Sequence, residues 1–253
     1  GVGMTTVAYM AVTSEGRTLP NQIWMRNEVL PDLKVLTDAV HANGAAISAQ
    51  LTHAGSFVTG IKVKGRTMSS SGGFNPAGLL KGNFFCRQMN EQDMQMVIDD
   101  FVRAAKLCRD AGFDALELHM GHGYLLNQFI SPLSNKRSDE YGGTLEKRLR
   151  FVIEVLEAMI DVAGAGRVGI RMCPGNPFND LTDENPEETF AALIKRLNGM
   201  NLAYLHIIRL DLRMNGGVDN IALAKTFNGP VILNESYKLE SGNAAIAAGD
   251  ADA

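Results

Sequence analysis

The sequence has 253 residues, 45% of them hydrophobic, and a formal net charge of −4. A chain of this size can bury one large core, so we expect a single domain over residues 1–253. The charges are interspersed and no apolar run could span a bilayer, which argues against nucleic acid or a membrane as a partner. Cys86, Cys108 and Cys173 are isolated, an odd set that favours a reducing, cytoplasmic location over a structural metal site.

Short β-type runs alternate along the chain with longer amphipathic stretches, the pattern of βαβ units around a parallel sheet. The predicted strands are Gly3–Tyr9, Ala45–Leu51, Asp114–His119, Arg167–Met172, Tyr204–Ile208 and Pro230–Leu233. The predicted helices lie near Val29–Asn43, Glu91–Ala111, Thr144–Ala163, Pro186–Met200, Asn220–Phe227 and Glu240–Ala248. The connections Thr52–Met89 and Met120–Gly143 are unusually long and each follows a strand, which is typical of segments that bind ligands.

The predicted strands number six, fewer than a closed barrel requires. A closed (β/α)8 barrel has eight parallel strands, so one would precede Gly1 and one would follow Ala253. We therefore predict an α/β fold of the TIM (β/α)8 barrel type, with the first and last strands missing from this sequence. Such a partial barrel would have an open sheet edge at each end.

The segment Leu118–Tyr124 contains the strongest candidates for catalytic residues. His119, His122 and Tyr124 lie at or just after the end of a predicted strand, where α/β barrels have their active sites. Imidazoles three residues apart can converge on one oxygen atom, and a nearby phenol can give a proton to a neighbouring carbon. A turn with satisfied histidines and a packing tyrosine is the alternative, but three donors at one strand end favour a site.

The alternation of side chains along the predicted strands places further polar residues inside the barrel. Glu117 shares a face with His119, and Arg171 points to the same interior from the next strand. A buried carboxylate is tolerated only when paired, so Glu117 also fits an ion pair that merely fills the barrel. Gln50 lies at the end of another strand, where its amide suits either a heterocycle with carbonyl and imide groups or the loop backbone.

Several segments of the sequence resemble one enzyme family. The longest is HMGHGYLLNQFISPLSNKRSDEYGGTLEKRLRF, His119–Phe151, and shorter ones are Gln50–Gly55, Val168–Arg171 and the opening GVGMTTVAYMAVTSEGR. In order and spacing they resemble the Old Yellow Enzyme family over nearly the whole chain. The resemblance implies a TIM barrel that binds FMN, takes hydride from NAD(P)H, and reduces the carbon–carbon double bond of an enone or a nitroalkene.

The resemblance also implies roles for individual residues. His119 and His122 would hold the carbonyl or nitro oxygen of the substrate, and Tyr124 would protonate its α-carbon. Gln50 and Arg171 would bind the pyrimidine edge of the flavin, where the charge of Arg171 favours the anionic reduced form. No residue is implied as a metal ligand, and assembly as a homo-oligomer is left open.

Two positions depart from the family pattern. Tyr9 stands at a strand end where relatives often have a small residue beside the flavin. Asn234–Tyr237 replaces a glycine-rich turn that commonly helps to hold the FMN phosphate. Because the next phosphate-binding strand would lie beyond Ala253, we expect this chain to bind FMN poorly, and added strands to restore binding.

Two other functions fit parts of the pattern. A metal-dependent TIM-barrel hydrolase or aldolase would use His119 and His122 together with His53 or His206, although no third ligand at a strand end is obvious. A truncated barrel without activity is the non-enzyme alternative. The flavin absorbance and the metal content of the purified protein distinguish these functions.

Overall fold

The fold is built around a sheet of parallel strands. The computed structural model describes residues 2–58, 67–74, 84–177, 179, 183–209 and 216–253. The strands in these ranges are β1 (Met4–Ala11), β2 (Ala46–Thr52), β3 (Thr67–Ser69), β4 (Gly73–Phe74), β5 (Phe85–Gln88), β6 (Ala115–His119), β7 (Val168–Met172), β8 (Leu205–Ile208) and β9 (Val231–Asn234). All six predicted strands are present, and their observed bounds agree with the predictions to within two residues.

The six predicted strands form one sheet in the order β1-β2-β6-β7-β8-β9, and every neighbouring pair is parallel. Each strand therefore pairs with the one that follows it around the sheet, as in a (β/α)8 barrel. The carboxyl ends of the strands lie at one edge of the sheet. Both long connections begin at this edge, because one follows β2 and the other follows β6.

Helices separate the strands of the main sheet. Their bounds are α1 (Leu30–His41), α2 (Glu91–Ala111), α3 (Leu125–Ile130), α4 (Leu145–Ala163), α5 (Pro186–Leu197), α6 (Asn220–Ala224) and α7 (Leu239–Ala247). Helix α2 begins with a capping box between Asn90 and Asp93, and it ends at Gly112, whose φ of 94° suits glycine. No helix in the described ranges is long and apolar enough to cross a bilayer.

The predicted helix ends need small corrections. Helix α6 ends at Ala224 rather than Phe227, because the backbone N–H groups of Thr226 and Phe227 bond to carbonyls three residues back. Such bonds tighten the last turn and end the α-helical pattern. Helix α5 ends at Leu197 rather than Met200, and Gly199 and Met200 show the same tightened bonding.

Two structured parts of the long connections were not predicted. Strands β3, β4 and β5 form a small separate sheet, and each has only two to four residues, too few to show a periodic pattern. Helix α3 follows Tyr124 directly, and all six of its residues are buried, so it lacks the polar face that marks an amphipathic helix. Other parts of the predicted connection Thr52–Met89 lie outside the described residues.

The predicted alternation along β6 is confirmed. Leu116 and Leu118 belong to the hydrophobic core, whereas Glu117 faces the interior of the sheet and hydrogen-bonds to side chains from other strands. Below them the interior is filled by Tyr204, whose hydroxyl lies 3.0 Å from Ser48 Oγ. Gly169 makes room for this ring, because a Cβ there would lie 2.5 Å from it.

The connection that follows β6 is fixed by Arg137, which is almost completely buried. Its guanidinium donates hydrogen bonds to the backbone oxygens of Ser70 and Met89 and forms an ion pair with Asp139. Arg148 likewise donates to the backbone oxygen of Ile130. These contacts tie the two long connections together, so their charged residues stabilise the loops above the sheet edge.

Candidate active site

Two histidines and a tyrosine meet at the carboxyl end of β6. His119 is the last residue of the strand, and the turn Met120–Gly123 brings the ring of His122 back over it. Nδ1 of His122 and Nε2 of His119 are 3.3 Å apart and share a hydrogen bond. The ring of Tyr124 lies edge-on to that of His119, with centroids 5.5 Å apart. The three side chains that were predicted to converge are therefore neighbours.

The environment of the two imidazoles keeps them neutral. Burial lowers the pKa of His119 well below its usual range, and the nearby His122 and Arg171 lower it further. Burial and Arg171 lower the pKa of His122 to about 4. A neutral imidazole can donate one hydrogen bond. A substrate oxygen between the rings can therefore accept a bond from each, once their mutual hydrogen bond is broken and the ring that accepted it shifts its proton to the nitrogen that faces the oxygen.

Tyr9 adds a second phenol to this cluster. Its ring stacks on that of Tyr124 with centroids 6.0 Å apart, and its hydroxyl lies 2.9 Å from Thr18 Oγ1. Strand β1 continues two residues past Tyr9 to Ala11, so Tyr9 lies just before the strand end rather than at it. The register between β1 and β2 is irregular between Val7 and Met10, and such bulges re-aim side chains.

Burial raises the pKa of the Tyr124 phenol, and the neighbouring Tyr9 raises it further through its charge and a hydrogen bond. The phenol of Tyr124 is therefore protonated at every pH at which the protein would be assayed. It can act as a proton donor, and it lies next to the two imidazoles that would hold an activating oxygen.

A chain of polar side chains, buried at Gln50 and Glu117 and half-buried at His206 and Asn234, crosses the interior from β2 to β9. Gln50 Nε2 donates to Glu117 Oε1 at 2.5 Å, and His206 Nδ1 donates to Glu117 Oε2 at 2.8 Å. Nε2 of His206 lies 3.0 Å from Asn234 Oδ1. Burial alone would raise the pKa of Glu117, but His206, Gln50 and Arg171 outweigh it and hold the pKa below its usual value.

Arg171 lies beside His119 in the register of β6 and β7, and it lies beside His206 in the register of β7 and β8. Its Nε atom and Nδ1 of His119 are buried, and neither makes a hydrogen bond within the described part of the chain. Gln50 has already committed its amide nitrogen to Glu117, so it offers its carbonyl oxygen as an acceptor.

Comparison with known proteins identifies the family of the chain. A model of the NADH:flavin oxidoreductase / NADH oxidase family matches residues 1–252. The chain belongs to this family. A 12-oxophytodienoate reductase 1 of Oryza sativa subsp. japonica is 36% identical over 228 residues, which are 87% of this chain and 60% of that protein. The family membership confirms the predicted flavin chemistry and does not favour the metal-dependent alternative.

Solved structures of the family share the fold. An old yellow enzyme homologue from Zymomonas mobilis superimposes with a TM-score of 0.88 at 28% identity, over 99% of this chain and 74% of that one. Morphinone reductase in complex with tetrahydroNAD gives a TM-score of 0.87 at 26% identity, over 99% of this chain and 72% of that one. The parallel sheet is therefore part of the TIM barrel of this family, and the predicted fold class is confirmed.

The residues at this sheet edge fit the FMN of the family. Burying polar atoms without partners is costly. Nε of Arg171 and Nδ1 of His119 lack hydrogen-bond partners among the described residues, and a bound polar heterocycle could provide them. The Gln50 oxygen could accept a hydrogen bond from an imide N–H. After β9, Glu235 and Ser236 have φ values of 89° and 60°, so this turn has left-handed backbone although it contains no glycine.

The depressed histidine pKa values predict a flat pH profile. We expect the rate of enone reduction by the FMN-loaded, NADPH-reduced protein to show no inflection between about pH 5 and pH 8, because neither His119 nor His122 changes charge in that range. Stopped-flow measurement across this range tests the prediction. An inflection near the usual histidine pKa of about 6.5, abolished in His122→Asn, would contradict it.

The same pKa values predict how stability depends on pH. The pKa values of His119 and His122 are lower in the folded protein than in the unfolded chain. As the pH falls, these histidines are therefore protonated in the unfolded chain before they are protonated in the fold. We therefore expect the free energy of unfolding to fall as the pH drops from about 6.5 toward the lower folded values.

Two residues at the site, His206 and Cys173, were not predicted to belong to it. His206 was considered only as a metal ligand, although strand alternation could have marked it as facing Glu117. Cys173 was noted only as isolated, yet its Sγ accepts a hydrogen bond from the backbone of His122. No sequence signal marks this contact, because it joins two loops that are distant in the chain.

Proposed function

We propose that the protein is an FMN-dependent reductase of the carbon–carbon double bond in α,β-unsaturated carbonyl or nitro compounds, with NAD(P)H as reductant. The observation that carries the proposal is the convergence of two neutral imidazoles and a protonated phenol at one sheet edge. This donor set suits a substrate in which an oxygen gains negative charge while a nearby carbon gains a proton. Family membership supports the same chemistry.

His119 and His122 bind the carbonyl or nitro oxygen in the proposed reaction. Each imidazole donates one hydrogen bond, and these bonds strengthen as negative charge develops on the oxygen. The chemistry that FMN supplies when bound is hydride transfer, from NAD(P)H and then to the β-carbon of the unsaturated substrate. By polarising the oxygen, the two histidines make that β-carbon a better hydride acceptor.

Tyr124 completes the proposed reaction as the general acid. Its hydroxyl gives a proton to the α-carbon, so that an O–H bond breaks as a C–H bond forms, and the phenolate is then reprotonated from water. The position of its ring against His119 supports this role, since the proton is needed close to the bound oxygen.

Gln50 and Arg171 orient the flavin in this proposal. The acceptor oxygen of Gln50 and the unpartnered guanidinium Nε of Arg171 complement the pyrimidine edge, which carries both an imide N–H and carbonyl groups. The fixed positive charge of Arg171 then stabilises negative charge on the ring. Glu117 anchors Gln50 from below through the hydrogen bond that they share.

The direct test is a reaction in two steps. The protein is loaded with excess FMN, because we expect weak FMN binding, and is reduced with NADPH under anaerobic conditions. It is then mixed with 2-cyclohexenone or with saturated cyclohexanone. We expect the enone alone to restore the absorbance of oxidised flavin, at a rate that rises with enone concentration. Failure of both 2-cyclohexenone and a nitroalkene to do so would contradict the proposal.

Replacing His119 by alanine should weaken the binding of phenols to the FMN-loaded protein. A phenol oxygen imitates the developing enolate, so the loss of one of two donors should cost about 1–3 kcal/mol of binding free energy. Titration of a phenol against the flavin spectrum measures the effect. His41→Ala is the matched control, because His41 pairs with Asp114 at the surface. Unchanged phenol affinity in His119→Ala would indicate a packing role.

We propose that the protein works in the cytoplasm and that residues 1–253 form a single domain. The three cysteines are free and buried, which supports a reducing compartment. Small molecules are the proposed partners, namely NAD(P)H and an enone or nitroalkene.

A further inference from the structure

The peptide of His122 has an unusual backbone conformation. Its φ is 58°, in the left-handed region that residues other than glycine rarely adopt. Such a residue carries strain, and it persists where the surrounding structure fixes it. The position of the His122 ring in the site therefore depends on whatever holds this peptide.

Two side chains from the segment after β7 hold the peptide groups of His122. The backbone N–H of His122 donates to Cys173 Sγ at 2.9 Å, and Asn179 Nδ2 donates to the His122 carbonyl oxygen at 2.6 Å. Gly121 packs so closely on Cys173 that a Cβ at this glycine would lie 2.9 Å from Sγ. The turn that carries His122 is thus bound to the segment after β7 through both the N–H and the carbonyl group of this residue.

We propose that Cys173 and Asn179 are positioning residues, which lock the left-handed backbone of His122 and so keep its imidazole beside that of His119. This inference rests on the proposed function, in which both rings bind one substrate oxygen. If φ of His122 relaxed to the ordinary negative range, its Cβ would point elsewhere. Its Nδ1 would then leave the place 3.3 Å from His119 Nε2 that it now occupies.

Cys173 acts here through its hydrogen bond rather than as a nucleophile. The residue is 3% exposed, and burial raises the pKa of its thiol to about 11, so the thiol stays protonated. Serine at this position would keep an acceptor for the His122 N–H, whereas alanine would remove it. The two substitutions therefore separate the loss of the hydrogen bond from the loss of packing.

The first test needs no cofactor. Burial and Arg171 hold the pKa of His122 at about 4, and the ionisable rings that face it are those of His119 and Tyr124. We expect Cys173→Ala and Asn179→Ala to raise the pKa of His122 toward the usual value of about 6.5, because the released ring gains solvent. Cys173→Ser should keep it low. NMR titration of the ¹⁵N-histidine-labelled protein measures this pKa.

Cys108→Ala is the matched control, because it removes another buried thiol, on α2, that contributes nothing to the site. It should leave the pKa of His122 unchanged even if it lowers stability. If Cys173→Ala does not fold, Asn179→Ala decides the question, since Asn179 is only partly buried. The inference is overturned if the alanine variants leave the pKa at about 4, or if serine and alanine at Cys173 behave alike.

A second test uses the FMN-loaded protein. Loss of either hydrogen bond should weaken phenol binding roughly fivefold to thirtyfold, and Cys173→Ser should recover most of the affinity. A wild-type protein that binds no phenol would refute the proposed function, while the NMR titration would still decide whether Cys173 and Asn179 hold His122. Wild-type phenol affinity in both alanine variants would overturn the inference.

Discussion

Replacing Tyr124 by phenylalanine is expected to slow the reduction of an enone by about 10²–10⁴-fold, while the reduction of FMN by NADPH stays nearly unchanged. The phenol is needed only where the α-carbon takes up a proton, which belongs to the second half of the reaction. The ring of phenylalanine keeps the packing against Tyr9 and His119. Rapid mixing, with each half of the reaction followed separately through the flavin absorbance, measures the effect.

Tyr141→Phe is the matched control for this experiment. Tyr141 is also partly buried, and its hydroxyl bonds to Glu154 on the outer side of the barrel, away from the site. It should leave both rates unchanged. Equal slowing of both half-reactions in Tyr124→Phe would show that the phenol has a general structural role and would contradict its assignment as the acid.

Replacing Glu117 by alanine is expected to lower the free energy of unfolding by about 3–5 kcal/mol. The carboxylate is 1% exposed and accepts hydrogen bonds from Gln50 and His206. Its removal leaves those donors buried without an acceptor, beside the positive charge of Arg171. Urea unfolding followed by circular dichroism measures the change, and Glu117→Gln should lose less because its amide oxygen still accepts.

Glu157→Ala on the exposed face of α4 is the control for charge removal, and it should change stability by less than about 0.5 kcal/mol. The wild-type contribution of Glu117 should also depend on pH. Its pKa is lowered in the fold, so its stabilisation is present above about pH 4.3 and is lost as the pH falls through the folded value. A Glu117→Ala protein as stable as wild type would contradict the network.

The sheet was predictable because its strands carry strong local signals. The run that ends at His119 is short and apolar, and it follows the helix stop at Gly112, which together indicate a buried strand. Alternation along that strand also predicted that Glu117 and His119 share the interior face. These features depend on residues that are close in sequence, so composition and spacing suffice.

The rest of the site depends on contacts between distant segments. Glu117 on β6 accepts a hydrogen bond from His206 on β8. The two residues come close only because both strands pair with β7 in a particular register. The stacking of Tyr9 on Tyr124 and the hydrogen bond from His122 to Cys173 likewise join separate parts of the chain. Strand alternation can assign His206 to the interior face, but it does not specify which residues meet across the sheet, and the family resemblance did not indicate these contacts either.

The most direct test of the central claim is a crystal structure of the FMN-loaded protein with a bound phenol. We predict that the phenol oxygen lies within hydrogen-bonding distance of both His119 and His122, with the Tyr124 hydroxyl beside the ring. We also expect the Arg171 guanidinium at the pyrimidine edge of the flavin. A phenol bound away from the two histidines, or a flavin at another edge of the sheet, would contradict the proposed function.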